Sequence, residues 1–249
     1  MRWRLILVLV SLPLLLGLAG SWWYFRAALY PEPRSFADNR ALVVPHLQVM
    51  LPQREKPLAT MLFFHGCGGV RSYSEPRARR AVEQGYAVVL VDSFKGRNID
   101  WQASCAGRVL QGPERAADVL VALDYVRQHP ELDADNVFLM GFSHGGWTVL
   151  EALALDEALP PGLTDSPGNH LQGVRGIVAW YPYCGFGARF GSGWQRDLPV
   201  LMLLAEEDAT TDPAPCESIA RAQQNAGRSI DWHTYPGVDH GFDLDVDWV

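Results

Sequence analysis

The sequence predicts an α/β fold in which helices cover both faces of a mostly parallel central sheet. Short apolar runs recur along the 249 residues and alternate with segments of helical periodicity. Two of these runs, residues 59–64 and 86–91, are apolar at almost every position, which is typical of strands buried on both faces. Glycine, proline and aspartate follow several of the runs, where the chain must turn. We therefore expect one layer of sheet between two layers of helix.

The elements are predicted in an alternating order along the chain. Residues 41–51 alternate only loosely between apolar and polar, so this first strand is expected at an edge of the sheet. Gly85 and Gly227 stand where helices end, and Pro113 stands in the first turn of another helix. The strands are predicted at residues 41–51, 59–64, 86–91, 136–140, 173–181, 199–205 and 229–235, and the helices at 73–84, 114–128, 147–155 and 216–226.

Composition limits the classes of partner. With 48% hydrophobic residues, the chain can bury one sizeable core and needs no second domain. Its 21 Lys and Arg against 28 Asp and Glu give a net charge of −7, which argues against a nucleic-acid partner because phosphate binding needs clustered positive charge. The short cluster of Arg77, Arg79 and Arg80 is interpreted as the solvent-facing side of a helix.

The N-terminal segment is distinct from the rest of the chain. Arg2 and Arg4 precede an uncharged, leucine-rich run at residues 5–20, and the aromatic group 22–25 follows it. A run of about 20 residues can cross a bilayer. We predict a signal-anchor or transmembrane segment at 1–29, a proline-containing linker at 30–40 and a catalytic domain at 41–249, anchored to a membrane and located outside the cytoplasm (periplasmic in a bacterium). Cleavage near Gly17 and secretion is the alternative.

The stretch from Gly141 to Gly146 carries the strongest chemical signal. It follows a predicted strand, precedes a predicted helix and has the pattern Gly-x-Ser-x-Gly around Ser143. A serine at such a corner needs a strained backbone, and Gly141 and Gly145 leave room for it. The pattern predicts a nucleophile elbow, whereas the alternative is an ordinary turn serine.

A second glycine-rich corner lies at residues 65–69, after another buried strand. Acyl transfer builds negative charge on a carbonyl oxygen, and fixed backbone N–H groups stabilise that charge. The backbone N–H groups of Cys67 and His144 are therefore the candidate oxyanion-hole donors. The alternative for residues 65–69 is a tight turn that needs glycine for its backbone conformation.

Ser143, Asp208 and His240 occur in the order nucleophile, acid, base that this architecture requires. A serine hydroxyl needs a neighbouring base to take its proton, and a carboxylate must orient that base. His240 is preferred to His233 because His233 lies inside a predicted strand, and the side chain of His144 should point away from Ser143. Asp208 shares its loop with three other acids: Glu206, Glu207 and Asp212.

The long loop at residues 95–112 follows a predicted strand and so is expected to line the ligand crevice. Arg97 and Trp101 are candidate substrate-binding residues there, although an ion pair between Arg97 and Asp92 is the favoured interpretation of Arg97. Four aromatic residues are candidates for a substrate pocket, with core packing as the alternative for each: Trp101, Trp180, Phe186 and Trp194.

Five spaced motifs together resemble the dienelactone hydrolase family of α/β-hydrolases. They are residues 64–69, 92–94, 141–146, 206–208 and 235–242, and the likeness spans roughly residues 58–243. The resemblance implies the α/β-hydrolase fold, with Asp208 as the acid and His240 as the base. Family members have cysteine where this chain has Ser143, so a serine esterase is expected and lactone specificity is not implied. Relatives continue into a final helix, which we expect to be missing or replaced by the anchor region.

The four cysteines fit an exported protein. Four cysteines allow three pairings. Cys67 and Cys105 lie in loops that follow one pair of neighbouring strands, and Cys184 and Cys216 follow another pair. We therefore predict the disulfides Cys67–Cys105 and Cys184–Cys216, with four separate buried thiols as the alternative.

No cofactor or metal ion is expected, because the sequence has no tight His or Cys spacing and no glycine-rich nucleotide motif after a strand. The expected function is hydrolysis of a small-molecule carboxylic ester, with lactones among the candidate substrates, through an acyl-enzyme intermediate. The alternatives are a peptidase or acyltransferase that uses the same residues, or a binding protein that keeps the fold without catalysis.

Overall fold

The structure is a computed structural model that describes residues 15, 17–27, 29–54, 59–168 and 170–244. The predicted segment 1–29 lies partly outside these residues, and its described part at 17–27 is helical. Across the described ranges, no helix is both long enough and apolar enough to cross a membrane. The residues after Leu244, where a final helix was expected to be missing or replaced, also lie outside the described part.

In the described part of the chain, seven strands form one sheet in the order β1-β3-β2-β4-β5-β6-β7. Only β1 is antiparallel to its neighbour, so the predicted mostly parallel sheet is confirmed. β2 pairs in parallel with both β3 and β4, which brings the carboxyl ends of these three strands together. The strands are β1 Leu47–Met50, β2 Thr60–Phe64, β3 Ala87–Val91, β4 Val137–Phe142, β5 Val174–Trp180, β6 Val200–Ala205 and β7 Ile230–Tyr235.

Helices pack on both faces of the sheet, as predicted. On one face, Leu62, Leu139 and Val149 belong to a large buried core that α4, α5 and α6 cover. On the other face, α2 packs through Ala78 onto Phe63 and other strand residues. The burial of each large apolar side chain contributes about 1.5–3 kcal/mol. The helices are α1 Phe36–Val43, α2 Ser74–Glu83, α3 Trp101–Cys105, α4 Gly112–Gln128, α5 His144–Ala154 and α6 Pro213–Asn225.

The beginning of the domain differs from the prediction. Residues 36–43 form α1 instead of linker and strand, and β1 is only four residues long. The side chain of Ser35 accepts a hydrogen bond from the backbone N–H of Asp38, which caps the helix. Val43 is fully buried, and the side chain of Asn39 donates to buried Asp118. The second half of the predicted linker therefore packs on the domain.

Both predicted disulfides are present. Cys67–Cys105 joins the loop after β2 to α3, and Cys184–Cys216 joins the segment after β5 to α6. Cys184 and Cys216 are buried, whereas Cys105 is exposed. Both cross-links lie at the carboxyl ends of the strands, where polar site residues were expected.

Candidate active site

Ser143 lies at a sharp corner between β4 and α5. Its backbone has φ 54° and ψ −116°, a conformation that costs a non-glycine residue about 1–3 kcal/mol. The turn is so tight that a Cβ atom on Gly141 would lie 2.1 Å from the carbonyl oxygen of Gly145, and one on Gly145 would lie 2.1 Å from that of Phe64. Only glycine fits at either position. The local geometry is therefore that of the predicted elbow.

The loop after β2 lies beside this corner. Phe64 pairs with Gly141 in the sheet, and a Cβ atom on Gly66 would lie 3.5 Å from that of Ser143. Cys67, the next residue, lines the same cavity as Ser143. His144 is the first residue of α5, and the first N–H groups of a helix have no acceptor within it. The backbone N–H groups of Cys67 and His144 are thus on the two segments that flank Ser143.

Asp208 and His240 form a hydrogen-bonded pair after the ends of β6 and β7. The distance between Asp208 Oδ2 and His240 Nδ1 is 2.8 Å. The other carboxylate oxygen of Asp208 accepts hydrogen bonds from the backbone N–H groups of Thr210 at 2.9 Å and Thr211 at 2.6 Å. Asp208 is therefore fixed in one orientation, and its side-chain partners are His240 and the Thr211 hydroxyl, which donates to Asp208 Oδ2 at 3.0 Å.

These contacts keep Asp208 charged. Burial by itself raises the pKa of the Asp208 carboxyl, but the hydrogen bonds from His240 and from the Thr211 N–H outweigh it, so the pKa lies below its ordinary value. A charged Asp208 holds the His240 ring with Nδ1 towards the carboxylate, which leaves Nε2 for proton exchange.

His240 is also held from its other side. The Oδ1 atom of Asp239 accepts hydrogen bonds from the backbone N–H groups of Ala209 at 2.9 Å and His240 at 2.6 Å. These bonds lower the pKa of the Asp239 carboxyl. The Tyr181 ring contacts the imidazole edge to face at 4.6 Å. The turn after β7 and the loop after β6 are thus locked together around the Asp208–His240 pair.

Ser143 and His240 line the same cavity, which has a volume of about 550 Å³. Cys67 and Trp101 also line it, and the Trp101 side chain is 45% exposed. The cavity therefore unites the candidate nucleophile, the candidate base, one candidate oxyanion donor and one candidate substrate contact.

A second cavity of about 280 Å³ also reaches Ser143. Its wall includes His144, Trp147, Tyr183 and the almost fully exposed Phe186. Of the other aromatic residues considered, Trp194 is buried in the core and Trp180 stacks on Phe142. The described part of the chain has no group of three or more His, Cys, Asp or Glu side chains that could hold a metal ion.

Arg97 does not take the predicted role or the predicted partner. Its guanidinium forms two hydrogen bonds with the Asp118 carboxylate, and its side chain is only 7% exposed. Asp92 instead accepts hydrogen bonds from the backbone N–H groups of Phe94 and Lys95. The prediction that Arg97 binds substrate is wrong, because Asp118 already satisfies its charge inside the domain.

Arg77 also differs from the prediction of a solvent-facing side chain. It forms an ion pair with Asp243 at 2.7 Å, donates to the Tyr181 hydroxyl at 3.1 Å and packs over the Phe142 ring at 3.8 Å. A contact with Asp243 could not be seen in the sequence, because 165 residues separate the two positions. Arg77 therefore ties α2 to the segment that follows His240.

Arg115 is a site residue that the sequence analysis missed. Its side chain is fully buried and donates to the carbonyl oxygen of His65 at 2.8 Å, to Ser93 Oγ at 2.9 Å and to His144 Nδ1 at 3.1 Å. Burial and the nearby guanidinium lower the pKa of His144 to about 3, so its ring is neutral. Arg115 therefore ties together the segments after β2, β3 and β4, and the last of these contacts is with the residue next to Ser143.

Comparison with solved structures identifies this architecture. A protein of Klebsiella pneumoniae subsp. pneumoniae MGH 78578, provisionally named a dienelactone hydrolase, superposes with a TM-score of 0.62 at 19% identity over 79% of this chain and 82% of that protein. The chain has a dienelactone hydrolase-like α/β-hydrolase fold. An esterase of Thermogutta terrifontis, solved with propionate bound, is similar to this chain with a TM-score of 0.57 and 18% identity, over 79% of each chain.

Sequence comparisons agree with this fold. The chain matches a Synechocystis protein provisionally named a carboxymethylenebutenolidase, with 23% identity over 200 residues, or 71% of this chain and 72% of that protein. The model of the prolyl oligopeptidase family matches residues 72–159, which contain the Ser143 elbow but neither Asp208 nor His240.

Proposed function

We propose that this α/β-hydrolase is a serine hydrolase of carboxylic esters. The observation that carries the proposal is the meeting of an elbow serine, Ser143, with the Asp208–His240 pair at one cavity. The strained backbone at Ser143 costs stability, and strain of this kind clusters at functional sites. Ser143 is therefore assigned as the nucleophile, His240 as the base and Asp208 as the residue that orients it.

In the proposed reaction, His240 Nε2 takes the proton of Ser143 as Oγ forms a bond to the ester carbonyl carbon. The backbone N–H groups of Cys67 and His144 stabilise the charge that develops on the carbonyl oxygen. His240 then gives the proton to the leaving alcohol oxygen as the carbon–oxygen bond breaks. A water molecule, activated by His240, releases the acid and restores Ser143.

The similar proteins support ester chemistry. The Thermogutta terrifontis esterase has been solved with propionate or butyrate bound, and also phosphorylated by paraoxon. The Klebsiella and Synechocystis proteins carry names of lactone hydrolases. A lactone is a cyclic ester and would follow the same steps, so lactones belong in any substrate screen.

A fluorophosphonate probe tests the proposal. It should label the folded wild-type protein and should not label Ser143→Ala, while the exposed Ser229→Ala serves as a matched control that keeps labelling. Hydrolysis of p-nitrophenyl acetate should follow the same pattern. Folded wild-type protein that neither reacts with the probe nor cleaves any ester would instead favour a binding protein with this fold.

A peptidase is the second candidate, because the prolyl oligopeptidase family model matches the elbow region. Amide hydrolysis needs the same nucleophile, base and acid, so the residues around Ser143 do not separate the two reactions. The measurement is kcat/KM for matched ester and anilide substrates that share one acyl group. A higher value for the anilide would favour the peptidase.

We further propose that the segment at 1–29 holds the catalytic domain at a membrane outside the cytoplasm, with secretion after cleavage as the alternative. The sequence of that segment and the two disulfides support this location, because disulfides persist in oxidising compartments. Fractionation of cells that express the full chain tests it. Recovery of the intact protein from the cytosol with reduced thiols would contradict it.

A further inference from the structure

Two cavities meet at Ser143, and the Cys67–Cys105 disulfide contributes to the wall of both. His240 lines only the larger cavity, of about 550 Å³, whereas His144 and Trp147 line only the smaller one, of about 280 Å³. The site therefore has one side that contains the base and one side that does not. This asymmetry bears on how an ester must lie.

The chemistry of the leaving group fixes the orientation. When the acyl-enzyme forms, the bond between the carbonyl carbon and the alcohol oxygen breaks, and that oxygen must receive the proton that His240 took from Ser143. The alcohol must therefore lie within reach of His240, in the larger cavity. The acyl chain lies on the opposite side of the carbonyl carbon from the leaving alcohol. It must therefore occupy the smaller cavity.

We propose that the smaller cavity is the acyl subsite and the larger cavity the alcohol subsite, so that the substrates are esters of short acids with larger, aromatic alcohols. This inference rests on the proposed function. The larger cavity has about twice the volume of the smaller one.

The walls agree with this division. In the smaller cavity, the buried Trp147 ring packs against Tyr183 at 4.9 Å, which gives an apolar surface for a short chain. Phe186 at its edge is 98% exposed, so a longer chain would pass into solvent. In the larger cavity, the half-exposed Trp101 ring and the Arg71 guanidinium 4.9 Å above it are both part of the wall, so an aromatic group there can contact the exposed part of the ring.

Two series of esters test the assignment on the full-length protein. In the first, the alcohol is p-nitrophenol and the acid lengthens from acetate to dodecanoate. In the second, the acid is acetate and the primary alcohol lengthens over the same range. Each methylene that enters a cavity should raise kcat/KM about fourfold, and one that extends into solvent should add nothing. The acyl series should stop rising at a shorter chain than the alcohol series.

A pair of aromatic-to-alanine variants separates the two cavities. Tyr183→Ala enlarges only the smaller cavity and should move the break in the acyl series to longer acids. Trp101→Ala changes only the larger cavity and should lower kcat/KM for aromatic alcohols several-fold without moving the acyl break. If Tyr183→Ala does not fold, Gln111→Ala opens the same smaller cavity.

The outcomes distinguish this inference from the function on which it rests. Breaks at equal chain length in both series, or a Tyr183→Ala variant that moves only the alcohol break, would overturn the assignment while leaving the esterase intact. No hydrolysis in either series, together with no probe label on Ser143, would remove the proposed function and the assignment with it.

Discussion

The Cys67–Cys105 disulfide should be needed for activity, whereas Cys184–Cys216 should be needed only for stability. Two double variants test this. One carries Cys67→Ala and Cys105→Ala, and the other carries Cys184→Ala and Cys216→Ala. The two bridges span 38 and 32 residues. By loop entropy, each removal should lower the free energy of unfolding by about 4 kcal/mol, so the two variants are matched in stability.

Activity should separate them, because only the first bridge includes a candidate oxyanion donor, Cys67. Removal of a whole oxyanion donor costs about 10²–10³ in kcat. A donor that is loosened but present should cost less, so we expect kcat to fall by about tenfold or more in the Cys67/Cys105 variant. The Cys184/Cys216 variant should keep kcat within about twofold, because both of its cysteines are buried and neither lines either cavity.

The assay combines urea unfolding with p-nitrophenyl acetate kinetics at a temperature where both variants are folded. Mild reductant should cleave Cys67–Cys105 before Cys184–Cys216, since Cys105 is exposed and Cys184 and Cys216 are buried. The wild-type protein should then show the lowered kcat of the Cys67/Cys105 variant. Full activity in the Cys67/Cys105 variant, with the expected loss of stability, would refute the view that this bridge positions the Cys67 N–H group as an oxyanion donor.

Three further predictions concern single side chains. Asp208→Asn should lower kcat by about 10³–10⁴ with little change in KM, because His240 loses the partner that orients it; equal kcat in kinetic assays would contradict this. Arg115→Met should lower the free energy of unfolding by about 3 kcal/mol or more, because the groups that Arg115 binds on three segments lose a buried donor, and Arg115→Lys should recover part of it in urea melts. Glu151 is fully buried and accepts from Trp147, and burial raises its pKa to about 7. Because the folded state binds the Glu151 proton more tightly than the unfolded state, the free energy of unfolding should be highest below about pH 4.5 and should fall by up to about 3 kcal/mol as the pH rises to about 7. Urea melts at a series of pH values should show a smaller fall for Glu151→Gln.

The site features that the sequence predicted are local in the chain or ordered along it. Gly141, Ser143 and Gly145 fall within five residues, and their constraint on the backbone acts over the same distance. Asp208 and His240 were found because the parallel order of strands brings successive strand ends to one edge. The disulfides followed from the same argument, since neighbouring strands carry neighbouring loops.

The features that sequence reasoning missed depend on contacts between elements that no periodicity encodes. Arg97 pairs with Asp118 on a helix, not with an acid at a strand end. Arg115 stands in the first turns of a helix, where a charged residue ordinarily faces solvent. The α1 helix, by contrast, could have been predicted from the sequence, because Ser35 and Asp38 have the spacing of a helix cap.

The placement of the two cross-links has a consequence for how the molecule opens. Both join segments that follow the carboxyl ends of strands, whereas the described amino ends of the strands carry no covalent tie. Heat should therefore fray the sheet from the rim opposite the cavities, and amide protons at the starts of β2 and β4 should exchange before those at their ends. The residues around Ser143 should therefore keep their arrangement at temperatures at which the opposite rim of the sheet has begun to open.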